Sequence, residues 1–169
     1  DESLISKFGV TIHAFDPTPE SHNWLKKQKL PNKLVIHNYG IFNYDGNAQL
    51  YALDYPSDIS KTILEESNVG ELSIDIKVKR LMTVMKNLGH HRLDLLKMDI
   101  EGAEYAVIED ILKSGIEVEQ LLIEYHHRFR GIGKRKTIES IKLLKKNGYH
   151  IFYVSKQNEE FGFIKCKKK

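Results

Sequence analysis

The sequence predicts an α/β fold: a mainly parallel sheet with helices on both faces and an antiparallel hairpin at its C-terminal edge. Three observations carry this. Strand-like and helix-like segments alternate along the 169 residues. The strand segments, such as 93–98, are near-continuous apolar runs, as expected of strands covered on both faces. Two short runs close the chain, 149–154 and 161–164, with turn-forming residues 155–160 between them.

The elements follow in order. Residues 3–8 read as a short helix closed by Gly9, which relieves a left-handed cap. Residues 10–15 form a strand that Asp16-Pro17 stops. Residues 18–29 read as a helix, with Pro19 and Glu20 suited to its first turn and lysines to its end. Leu34–His37 is a second strand. Tyr44-Asp45-Gly46-Asn47 is a hairpin-type turn, with 49–53 as its return strand. Residues 56–70 are polar and read as a loop or a short helix. Ile74, Ile76 and Val78 alternate against Asp75 and Lys77, a strand pattern. Leu81, Met82, Met85 and Leu88 recur at helical spacing up to Gly89. The strand 93–98 runs into Asp99. Glu104–Lys113 is a helix with Val107, Ile108, Ile111 and Leu112 on one face. A strand at 118–125 and a helix at 137–146, ended by Gly148, precede the terminal hairpin.

Composition narrows the function classes. One domain spans residues 1–165, and a basic tail covers 166–169. The net charge of +3 is mild and gathers partly in Lys165, Lys167, Lys168 and Lys169, with no aromatic-rich basic stripe, so no nucleic-acid partner is expected. A single cysteine excludes an internal disulfide and argues against a cysteine-based zinc site. There is no membrane-spanning apolar run and no signal-peptide pattern. The chain opens on Asp-Glu-Ser without a methionine; a cytoplasmic location follows if no targeting segment precedes it. Neither a Gly-x-Gly-x-x-Gly nor a Walker-type lysine loop occurs. Composition does not reveal the oligomeric state.

Ligands of open α/β sheets bind beyond the carboxyl ends of the strands. That rule selects Asp16, then Tyr39 and Gly40, then Asp99, Glu101 and Gly102, and finally Glu124, His126 and His127. A carboxylate at a strand end can accept both hydroxyls of a ribose, which suits Asp16; equally, Asp16 can cap the helix after Pro17. Asp99, Glu101 and Glu104 crowd next to an apolar strand, which costs desolvation unless a cation, a donor or a substrate compensates. Glu104 can also support the N-terminus of the helix that follows. Glu124 and His126 share a face of their strand at i, i+2, while His127 points the other way. With Asp99 or Glu124, His126 could hold a divalent metal or act as a general base. Lys134-Arg135-Lys136, beside Gly131 and Gly133, reads as a mobile lid or as a plain solvated loop.

Three blocks at these strand ends resemble the FkbM-type methyltransferase family, including its methyltransferase-like branch. They are His13-Ala14-Phe15-Asp16-Pro17-Thr18-Pro19, Leu95-Leu96-Lys97-Met98-Asp99-Ile100-Glu101-Gly102-Ala103-Glu104 and Leu121-Leu122-Ile123-Glu124-Tyr125-His126. The middle block is the most specific. The resemblance implies a seven-stranded, Rossmann-like sheet with its last strand antiparallel, and S-adenosylmethionine as methyl donor. It implies that Asp16 holds the cofactor ribose, that Asn38, Tyr39 and Gly40 lie near the adenine, and that Asp99 faces the methionyl end or the transfer centre. Glu101 and Glu124 become substrate or metal contacts, and His126 or Asp99 the catalytic base. Members begin with a strand and a glycine-containing loop whose counterparts would lie before Asp1. Strands sit roughly 4.8 Å apart, so a sheet without that strand would carry a gap of about 10 Å. The implied activity is O-methylation of a hydroxyl on a small molecule or sugar. A catalytically inactive Rossmann-like binding module is the alternative.

Overall fold

The computed structural model describes residues 2–53, 61–64 and 69–166. It is an α/β structure whose strands gather in three hydrogen-bonded sheets. The first elements are α1 (Glu2–Phe8), β1 (Ile12–Phe15), α2 (Pro19–Leu25) and β2 (Leu34–His37). β1 and β2 form a parallel pair of their own, Ile12 opposite Leu34 through Phe15 opposite His37. Neither helix buries a residue, and Phe8 and Trp24 are 62% and 61% exposed. α2 stops well short of residue 29, where the lysine run offers no apolar face to hold further turns.

The second sheet contains β3 (Gly40–Phe42), β4 (Gly46–Leu53), β5 (Lys61–Thr62) and β6 (Val69–Arg80), in the order β3-β6-β4-β5. The turn at Tyr44–Asn47 therefore does not close a hairpin. β6 inserts between the strands on either side of that turn, parallel to β3 and antiparallel to β4, so that Val78 stands opposite both Gly40 and Gly46. Local turn chemistry favoured direct pairing, but β6 brings Ile76 and Val78 to meet Leu50, and this small apolar cluster decides the arrangement. Of the stretch 56–70, residues 56–60 and 65–68 lie outside the described residues; its remainder holds β5 and the start of β6, not a helix.

The third sheet holds the main core. It comprises β7 (Arg92–Met98), β8 (Glu117–Glu124), β10 (Glu160–Lys165) and β9 (Tyr149–Val154), in that spatial order. β7 and β8 are parallel, and β10 runs antiparallel to both β8 and β9. The terminal hairpin thus forms as expected, with its second strand on the inside. Three helices belong to this half: α3 (Leu81–Leu88), α4 (Glu104–Lys113) and α5 (Gly133–Lys146). α3 ends at Gly89 in the left-handed region at φ 69°, which lets the His90 amide reach the Met85 carbonyl at 2.9 Å. Val107, Ile108 and Ile111 on α4 are each 1% exposed against β7, β8 and α5, and such burial is worth about 1.5–3 kcal/mol per side chain. β7 is less enclosed than its apolar run suggested, with Leu95 at 40% exposure.

β1 and β7 are not paired with each other. They are neighbours, however, because His13 on β1 meets His90, just before β7, edge-on at 5.2 Å. α5 begins at Gly133, so Lys134, Arg135 and Lys136 lie in its first turn and form neither lid nor loop. There Arg135 pairs with Glu139 at 2.8 Å and Lys136 sits 5.1 Å from the centre of the Tyr105 ring. Lys165 closes β10 and donates to the Asn147 carbonyl, while Lys167, Lys168 and Lys169 lie outside the described residues. Among the described residues, no helix is long and apolar enough to cross a membrane.

Candidate functional site

The turn from β7 into α4 is built by one side chain. Glu104, the first residue of α4, is completely buried. Its Oε1 accepts the amides of Ile100 and Gly102, each at 3.1 Å. The same oxygen lies 2.8 Å from Nδ1 of His126, which follows β8. A carboxylate can only accept, so Nδ1 carries the hydrogen and Nε2 faces the other way. The second oxygen, Oε2, is buried with no hydrogen-bond partner.

This anchoring folds the acidic segment back on itself. Glu101 adopts φ 51° and Gly102 φ 98°, both left-handed. A Cβ at Gly102 would also lie 2.7 Å from Leu64 and 3.1 Å from Ile132, so glycine is needed for space as well as for conformation. Thr62, buried on β5, donates to the Glu101 carbonyl at 2.6 Å and ties the second sheet to the turn.

As a result, Asp99, Glu101 and His126 converge, with one ligand-type atom from each lying within 4.8 Å of the others. His126 Nε2 is 3.1 Å from Glu101 Oε2 and 3.8 Å from Asp99 Oδ1. The Asp99 side chain is 39% exposed and opens to solvent, whereas that of His126 is 6% exposed. Burial alone would lower the His126 pKa, but hydrogen bonds to Glu101 and Glu104 outweigh it and push it up to about 10. Without a ligand, the ring is therefore an imidazolium at neutral pH. Glu124 ends β8 nearby; burial first, and then the charge of Asp99, raise its carboxyl above the ordinary range. His127 is buried as well, but its Nδ1 has no partner and burial lowers its pKa.

A second group lies past β1 and β2. Asp16 accepts both the amide and the hydroxyl of Thr18 on Oδ1, at 2.8 and 2.6 Å. Burial opposes its charge, yet the hydrogen bonds from Thr18 and Ser21 hold its carboxyl below the ordinary range. Tyr39 packs beside Phe15 and His37, with Lys79 Nζ 4.4 Å from its ring centre. Gly40 faces Pro17 and Val78, and Asn38 is exposed. The sequence-selected residues thus fall into two groups, Asp99, Glu101, Glu124 and His126 in one and Asp16, Asn38, Tyr39 and Gly40 in the other.

Two contributors were not legible beforehand. Glu104 reads from sequence either as one of three strand-end carboxylates or as support for a helix terminus, and nothing in its spacing reveals that its carboxylate also reaches across to β8. Thr62 lies in a polar stretch without periodicity, and no sequence signal marks it.

The Methyltransferase FkbM domain matches residues 4–151. A rat protein named "Probable methyltransferase-like protein 24" is 23% identical over 165 residues, covering 92% of this chain and 39% of that protein. Its human counterpart of the same name is 26% identical over 132 residues, covering 77% of this chain and 30% of that protein. The chain therefore spans well under half the length of these relatives. No solved structure gives a significant match.

Proposed function

Since the chain belongs to the FkbM methyltransferase family, we propose that it is the S-adenosylmethionine-binding part of an O-methyltransferase acting on a hydroxyl of a small molecule or sugar. One observation supports this above the others: Asp99, Glu101 and His126 converge at the carboxyl ends of the parallel pair β7–β8, where open α/β sheets take their ligands. The parallel pairs β1–β2 and β7–β8 and the antiparallel β10 support the reading as a Rossmann-like arrangement, although they lie in two separate sheets.

The donor set suits this cofactor in part. Asp16 ends β1 with its Oδ1 committed to Thr18, and its other oxygen is the acceptor proposed for the ribose hydroxyls. Tyr39, Gly40 and Asn38 are proposed to border the adenine. Three carboxylates around the β7–α4 turn balance a ligand bearing a sulfonium and an ammonium. When bound, that cofactor supplies an electrophilic methyl group for in-line displacement.

The side chains of this site then have distinct tasks. Asp99 is the group proposed to receive the proton of the acceptor hydroxyl, because it is the solvent-facing member of the triad. His126 was an equal candidate for that task from sequence. Buried, bonded at both nitrogens and charged up to about pH 10, it instead holds Glu101 and Glu104 in place. Glu101 and Glu124 are proposed to orient the acceptor.

A second reading, a catalytically silent binding module, draws on Asp16, whose bonds to Thr18 are those of a turn cap. Calorimetric titration of S-adenosylhomocysteine, joined to a methyl-transfer assay, separates the two. Asp16→Ala should weaken binding more than Asp99→Ala, and Asp99→Ala should cost more turnover. Binding without turnover on any hydroxylated acceptor, or no binding by a folded protein, favours the silent module.

A further inference from the structure

We propose that Asp99, Glu101 and His126 form a divalent transition-metal site, of the kind that takes Mn²⁺ or Zn²⁺, with Glu104 as the outer partner of the histidine. The inference does not depend on the methyl-transfer reading, although it would give that reading a Lewis acid.

The geometry comes first. A divalent first-row ion holds nitrogen and oxygen ligands at about 2.0–2.2 Å, which places neighbouring ligand atoms about 3–3.5 Å apart. Nε2 of His126 lies 3.1 Å from Glu101 Oε2 and 3.8 Å from Asp99 Oδ1, close to that spacing before any adjustment. Only Asp99, the most exposed of the three, has to move, and it stands at the open side. One imidazole and two carboxylates leave positions free for water or for an oxygen ligand.

The surroundings are those of a metal-binding histidine. Such a ring gives its other N–H to a carboxylate, which fixes its tautomer and strengthens its ligand nitrogen. Glu104 does this at 2.8 Å from full burial. Its Oε2 is buried without a hydrogen-bond partner, so this buried carboxylate is offset chiefly through the His126 ring. The charge balance agrees: Asp99, Glu101, Glu104 and Glu124 gather around one imidazole, and the lysine bound to Asp99, Lys97, is itself exposed.

Mixed N and O ligation favours Mn²⁺ or Zn²⁺ over Mg²⁺, which prefers an all-oxygen shell with retained waters. A metal at this place would bind the acceptor oxygen and make its hydroxyl easier to deprotonate.

The test uses Mn²⁺ alone, added to protein stripped with chelator. Loss of the aqueous Mn²⁺ electron-paramagnetic-resonance signal should show one ion per chain with micromolar affinity. Pulsed measurements should show ¹⁴N modulation from a bound imidazole. His126→Gln should abolish the modulation and weaken binding at least tenfold. Glu104→Gln, which keeps acceptors for the Ile100 and Gly102 amides, should weaken binding about 10–100-fold. Circular dichroism verifies that each variant is folded; if His126→Gln is not, the modulation in the unaltered protein decides alone. Millimolar or weaker binding, or binding without nitrogen modulation, overturns the proposal. S-adenosylhomocysteine binding to the same stripped protein is measured in parallel. If it binds and Mn²⁺ does not, the carboxylates serve the cofactor alone. If Mn²⁺ binds and it does not, the metal site stands and the methyl-transfer reading falls.

Discussion

The surroundings of β7–β8 and those of β1–β2 differ more than their shared parallel pairing suggests. Around β7 and β8, α4 and α5 bury whole faces, Tyr125, Tyr149 and Phe163 fill the interior, and a buried carboxylate fixes the acidic turn. Around β1 and β2, α1 and α2 bury nothing, and the β1 side chains are only half-buried. The local cohesion there comes from short-range polar bonds, such as Asp16 with Thr18 and His13 Nδ1 with His37 Nε2 at 3.0 Å. One half has its acidic-turn geometry set by packing; the other has ligand-type residues on a lightly packed frame.

The strongest way to break this contrast is Glu104→Ala. It leaves two backbone amides and the His126 ring without their acceptor inside the core. Removing one partner of a buried charge pair costs about 3–5 kcal/mol, and chemical denaturation should register a loss of that order. A loss under 1 kcal/mol would mean that the turn is not anchored as described.

The next effect is a pH dependence. The His126 pKa is raised from its ordinary 6.5 to about 10 by Glu101 and Glu104, against the effect of burial. A raised folded-state pKa contributes stability that is complete below about pH 6.5 and is lost as pH climbs to about 10. In chelator-treated protein, unfolding free energy should therefore decline over that window more steeply than in His126→Gln. Parallel declines in the two proteins would show that the ring is not held charged.

The smallest effects belong to the other half. Phe8→Ser and Trp24→Ser remove exposed side chains, and each should change stability by no more than about 0.5 kcal/mol. A cost several times larger would show that this face is covered in solution and would erase much of the contrast.

The same division governed what the sequence could reveal. Where burial is dense, pattern and structure agree: the apolar face of α4 was visible in the spacing. The carboxylates past β7 stand where the strand-end rule puts them, although β7 itself is less enclosed than its apolar run suggested. β2 was legible as a plain apolar run as well. The failures have a common cause in long-range contacts. Tyr44–Asn47 has the residues of a hairpin turn, yet the strand that satisfies its flanks comes some thirty residues later. The Lys134–Lys136 run looked like a loop because its charge masks the helix: Arg135 pairs with Glu139 one turn along α5, and Lys136 meets the Tyr105 ring of α4 only in the folded chain. Glu104 carried a local reading that was true and incomplete, since its partner His126 lies beyond a whole helix and strand.

The placement of β6 between β3 and β4 also bears on how the chain emerges from the ribosome. Gly40 and Gly46 both wait for Val78, so when β3 and β4 have left the exit tunnel, neither yet has its neighbour. Until Arg80 has also left the tunnel, both strands carry open edges, the condition under which nascent chains associate wrongly. Synonymous codons that slow translation after β4 has left the tunnel and before β6 has would prolong that exposure, and the fraction of soluble product would fall with the length of the pause.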